Sequence, residues 1–302
     1  MPKYHGKYQR PSRPRPFWWI GVGCSILALV FALSVGGFLY GALKVRNASR
    51  QAIQTYVMPV PSVPETTLAP ETIPPTEAQS LETTAPQEET APEATAPETT
   101  VPETTVPTES PRFPTIDFVG LREKNPDVVG WIQIPTLEVI NYPVVQGGDN
   151  AYYTSHSWDG EKNENGAIFL DFHNQGDFSQ IHNILYGHCM KDGSMFQSLG
   201  KWEGSEFFKN NDKTVLLYLP GETRVYEIFA VERVDALDGR VYRTDYTADE
   251  AWEAALSGTL QRTQHGSSLE LTAQSEVLTL STCVGDMSRL VVHAVCVEHV
   301  PI

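Results

Sequence analysis

Between residues 51 and 111 the chain carries ten glutamates, many prolines and threonines, and no lysine or arginine. Ala-Pro-Glu-Thr-Thr at 96–100 is followed directly by Val-Pro-Glu-Thr-Thr at 101–105. No hydrophobic face can be drawn on such a segment, so it cannot bury enough apolar surface to offset the entropy of ordering. A disordered linker over residues 44–112 is predicted, leaning to polyproline II and stiffened by proline and by repulsion between glutamates. Roughly 60 residues at about 3.1 Å each reach on the order of 190 Å when fully extended, which suits either a spacer or a plain tether. Any packed core must lie to one side of it.

On the N-terminal side the first fifty residues hold Lys3, Lys7, Arg10, Arg13, Arg15, Lys44, Arg46 and Arg50 and no acid. From Phe17 to Leu43 there is no charge at all. That run exceeds the roughly 20 apolar residues that carry a helix across a bilayer, and it is too long for the core of a cleaved signal peptide. A transmembrane helix over 17–43 is predicted, behind a basic tail at 1–16. Five basic residues precede the span, so the positive-inside rule places the N-terminus in the cytoplasm and everything after the span outside the cell. Trp18, Trp19 and Tyr40 suit interfacial anchoring, and Cys24 is most simply an apolar residue of the span. Subtracting the +8 of this end and the −10 of the linker from the chain's −15 leaves −13 for the remainder.

That remainder, residues 113–302, reads as mainly β. Apolar and β-branched runs fall at Val129–Ile134, Tyr142–Val145, Ala167–Phe172, Asn183–Tyr186, Thr214–Leu219, Arg224–Val231, Glu276–Cys283 and Arg289–Val297, with Pro, Gly and Asn between them. About eight short strands at such spacing suggest a barrel or a sandwich. One short amphipathic helix is predicted near Ile116–Arg122 and another from Ser194. A third begins at a capping box of Thr247 and Glu250, followed by Trp252, Ala255, Leu256 and Leu260.

Chemistry concentrates at strand ends. Leu278-Thr279-Leu280-Ser281-Thr282-Cys283 ends on a cysteine, and Arg289 opens the next strand six residues later. A partly exposed thiol near a cation that cannot lose its charge is a candidate nucleophile. Tyr186-Gly187-His188 ends another strand and supplies a proton partner. Asp286, in the intervening turn, is a weaker candidate for tuning the pair. The neighbouring His188 and Cys189 lack the companion spacing of a metal site, and no metal or cofactor is expected. Cys189 and Cys296 are expected to be free thiols, since Cys296 lies roughly 23 Å along a strand from Arg289 at about 3.3 Å per residue.

The YGH motif, the TLSTC motif and an arginine opening the last strand resemble those of sortases, the cysteine transpeptidases of Gram-positive bacteria. The resemblance extends through Asn125–Ile132, Tyr142–Gln146, Gly166–Asp171 and His188–Phe196, and is closest to class B. It implies a closed eight-stranded β-barrel with short helices. Class B sortases use a His, Cys and Arg trio, carried here by His188, Cys283 and Arg289; the six-residue interval from Cys to Arg is shorter than usual. Ser281, Thr282 and Asn150 match positions that line the substrate groove. The implied activity is that of a thiol protease and transpeptidase. It would cleave a Thr-X bond in the C-terminal sorting motif of secreted proteins and pass them to an amine of the cell wall. A pilus-polymerising sortase is the nearest alternative, and a membrane-tethered surface binding protein the non-enzymatic one. No nucleic-acid partner is expected.

Overall fold

A computed structural model describes residues 47, 50–59, 112–283 and 287–302. The expected basic tail and transmembrane helix, most of the linker, and Asp286 lie outside these residues. Among the described residues no helix is long and apolar enough to cross a membrane.

All eight expected strands form: β3 (Val128–Gln133), β4 (Asn141–Val145), β5 (Ile168–Leu170), β6 (His182–Tyr186), β7 (Thr214–Leu219), β8 (Glu222–Asp235), β9 (Val277–Cys283) and β10 (Ser288–Pro301). They close into a barrel of order β10-β8-β7-β3-β4-β5-β6-β9. Two neighbouring pairs, β4–β5 and β6–β9, are parallel, and the other six are antiparallel. Alternate side chains such as Leu278, Leu280, Leu290, Val292 and Ala294 enter the barrel core with Ile132, Val144, Leu185 and Ile228. A period of two that keeps one face apolar pins each register, because a slip of one residue would turn the whole inward set to the outside.

Helical pieces seal the barrel. A 3-10 turn over Gln197–Glu203 and helix α2 (Ser205–Asn210) bring Trp202 and Phe208 into the core. Helix α1 (Phe118–Lys124) is capped by Asp117, whose carboxylate accepts from Gly120 N–H at 2.9 Å. Helix α3 (Glu250–Arg262) lays Trp252 and Leu256 on Phe229, Val277 and Val295 outside the barrel. Its cap differs from the expected box. Asp249 accepts from the backbone N–H of Ala251 and Trp252, while the Thr247 hydroxyl supports Asp249 from behind. A carboxylate beside the positive end of the helix is the better acceptor of the two.

The linker boundary also moves. Residues 50–56 are helical, Ala52 is buried, and β1 (Val57–Met58) pairs antiparallel with β2 (Thr115–Ile116). Tyr56 accepts from Asp117 N–H through its carbonyl at 2.8 Å and sets its ring edge-on to Trp158. Residues 50–58, expected within the disordered linker, are therefore part of the folded unit. They form a short apolar cluster of Ala52, Ile53, Tyr56 and Val57 before the first proline of the run, Pro59, so the composition of the long stretch does not apply to them.

Candidate active site

Two registers assemble the site. In the parallel pair β6–β9, Tyr186 lies opposite Ser281, so His188 and Cys283 each follow two residues beyond that match, at neighbouring strand ends. In the antiparallel pair β9–β10, Arg289 lies directly opposite Cys283. Opposed residues project to the same face, so both point away from the core that Leu280 and Leu290 fill. The short interval between Cys283 and Arg289 is what this register requires.

The six residues singled out by sequence, Asn150, His188, Ser281, Thr282, Cys283 and Arg289, line one open cavity of about 290 Å³. His188 Nε2 lies 2.7 Å from the Thr154 carbonyl, which only accepts, so the ring donates from Nε2 and a neutral His188 keeps Nδ1 free as acceptor. The Ser281 hydroxyl meets Tyr242 Oη at 3.0 Å. Thr282 alternates to the inward side, and its buried hydroxyl has no hydrogen-bond partner among the described residues. Such a group costs about 1–3 kcal/mol until something meets it.

Two glycines make room for this arrangement. A Cβ at Gly187 would approach Ile168 Cδ1 to 2.5 Å and the Phe196 ring to 2.8 Å. Gly166, at φ +61°, lies so close to the Tyr153 carbonyl that any Cβ there would clash with it, and the same Cβ would crowd the His188 ring.

Residues that the sequence reading missed complete the walls. Tyr186 and Tyr242 stack with ring centroids 6.0 Å apart, and Phe169 packs on Tyr186 at 5.3 Å. Burial, and after it the charge of Asp171, hold the Tyr186 phenol above its ordinary pKa; burial raises that of Tyr242. Tyr186 belongs to the quoted YGH motif and could have been named from it. Tyr242 arrives from the β8–α3 connection, 39 residues before Ser281, and carries no local signal.

Cys189, Cys283 and Cys296 are all free. Burial pushes the Cys296 thiol up to about 11, and burial also raises that of Cys189. Cys296 gathers with Glu276 and His299 at the far end of the barrel, a set with the donors of a metal site. Its charges are already met: Arg224 bonds Glu222 at 2.7 Å and Glu276 at 3.4 Å, and His299 bridges the same two carboxylates.

A family model for the sortase domain matches residues 132–297. Sortase B of Listeria monocytogenes is 35% identical over 164 residues, which are 54% of this chain and 65%, just under two thirds, of that protein. Sortase B of Staphylococcus aureus is 30% identical over 168 residues, 55% of this chain and 67% of that one. A Bacillus anthracis structure described as similar to sortase B superposes with a TM-score of 0.56 at 36% identity, covering 61% of this chain and 83% of the other. Clostridium perfringens sortase B does so at 0.56 and 31%, covering 60% and 99%. With the family model matching more than half of its length and its barrel superposing on solved sortases, this chain belongs to the class B branch of the sortases, a family of cysteine transpeptidases.

Proposed function

We propose that the protein is a membrane-anchored transpeptidase that joins secreted proteins to the cell wall. The Cys283 thiolate attacks the carbonyl of a Thr-X bond in a C-terminal sorting motif. His188 protonates the departing amine as the C–N bond breaks, leaving a thioester on Cys283. An amine of the cell wall or its precursor then attacks the thioester, gives its proton to His188, and releases the thiolate. Arg289 holds the substrate or the developing oxyanion through its planar fork of donors. The observation that carries this reading is the cross-strand pairing of Arg289 with Cys283, beside a His188 brought to the same end by the β6–β9 register. Asn150, Ser281 and Thr282 line the substrate cavity in this scheme. One solved structure of Staphylococcus aureus sortase B is a complex with substrate, which supports the same class of partner here.

Anchoring rests on the uncharged run Phe17–Leu43 and its basic flank, with the catalytic domain outside the cell. The decisive experiment incubates the protein with a peptide library and an amine acceptor and reads products by mass spectrometry. Cleavage at one motif with transfer to the amine is the expected result. Absence of any Cys283-dependent product would overturn the proposal.

A further inference from the structure

Asp171, one residue past β5, is only 3% exposed, and among the described residues no lysine or arginine forms an ion pair with it. Oδ2 accepts from Tyr186 Oη–H and from Asn150 Nδ2–H, each at 2.8 Å. Oδ1 accepts from the backbone N–H and the ring Nδ1–H of His173, each at 2.9 Å. A buried carboxylate without a lysine or arginine partner is expensive to keep, and two of its donors are walls of the cavity that holds Cys283.

Each hydrogen bond to the carboxylate fixes the polarity of the group that donates it. An ionised carboxylate only accepts, so the Tyr186 hydroxyl spends its single proton on Asp171 and turns lone pairs alone toward a ligand. Asn150 spends one N–H on Asp171, while its Oδ1 accepts from Phe172 N–H at 3.0 Å, leaving one N–H to offer. The raised pKa of the Tyr186 phenol keeps that proton in place at physiological pH.

We propose that Asp171 is a positioning residue that sets the hydrogen-bond polarity of the substrate cavity, presenting Tyr186 as an acceptor and Asn150 as a donor. A substrate that fits offers a donor to the first and an acceptor to the second, as a peptide unit does. This rests on the transpeptidase reading. An amide at position 171 would both donate and accept, so the polarity of both neighbours would be released at little change in shape.

The test compares wild type, Asp171→Asn, Tyr186→Phe and the double variant in full-length protein. Asp171→Asn should raise KM about tenfold or more with kcat within about threefold, since ground-state positioning is lost and the trio is intact. The double variant should be less impaired than the two single effects combined, because Asp171 acts partly through Tyr186. The rate of Cys283 alkylation should be the same in all four, which separates misplacement of substrate from misfolding. In NMR spectra, the Tyr186 hydroxyl proton, protected in wild type, should be lost from its hydrogen-bonded position in Asp171→Asn. An unchanged KM, a loss confined to kcat, or full additivity with Tyr186→Phe would overturn the inference. If wild type cleaved no peptide, the transpeptidase reading would fall, and the hydroxyl proton would still decide the role of Asp171.

Discussion

Arg289 faces Cys283 across the last hairpin of the barrel, residue against residue in the antiparallel register. The guanidinium therefore belongs to the face that carries the thiol, and its fork, more than its charge, is the feature to test. Arg289→Lys keeps the charge and loses the planar donors. It should lower kcat/KM by on the order of 10²-fold, as removal of an oxyanion donor does. Steady-state cleavage of the preferred peptide measures this, and near-normal turnover by a folded variant would place the arginine outside the chemistry.

Cys283→Ala and His188→Ala should each abolish turnover, and the double variant should be no worse than either. Groups that serve one transition state are not additive. A double variant measurably slower than both would mean that each retains a separate route.

The buried histidine His182 makes the barrel sensitive to acid. Its Nδ1–H donates to the Arg243 carbonyl, Nε2 meets Thr279, and Thr279 meets His293, which reaches Glu232. Burial is the main cause that brings its pKa down from 6.5 to about 4. Because the folded value lies below the unfolded one, stability is complete above pH 6.5 and falls as the pH drops from there toward about 4, where the folded form also takes up the proton. The full shift corresponds to about 3 kcal/mol. Urea midpoints at neutral pH and near pH 4.5 should show this loss, and His182→Gln should flatten the difference; an equal acid dependence in the variant would remove His182 as its source.

Removing residues 65–105 should leave peptide cleavage unchanged, since no packed contact is expected of that composition. A shorter closed loop costs less entropy, so the shortened protein should gain about 1 kcal/mol in chemical denaturation. Lost activity or a lower midpoint would show that the segment docks on the domain.

The strands were legible because apolar and β-branched runs are bounded by Pro, Gly and Asn: Thr214–Leu219 matches the observed strand residue for residue, and the others differ mostly at their ends. Their spacing left barrel and sandwich open, and only the family resemblance pointed to closure. His188 and Cys283 were legible because motif and strand end coincide. Arg289 shows the limit, since counting six residues says nothing about which residues stand opposite each other until the register is known. Asp171 and Tyr242 act through partners 15 to 39 residues away along the chain, so no local pattern announces them. Residues 50–58 were hidden differently: five apolar side chains vanish into the average of a long proline-rich stretch.

The β1–β2 ribbon also decides how force travels. Chain that leaves the domain at Met58 returns at Thr115, opposite its point of departure. A pull applied ahead of residue 50 enters the barrel through the helix at 50–56 and the two residue pairs of the ribbon, and the long Pro/Glu/Thr excursion lies off that line. Adding repeats to that excursion enlarges a side loop and leaves the catalytic domain no farther from whatever anchors the N-terminus. Only when the ribbon unzips does the excursion join the line of tension.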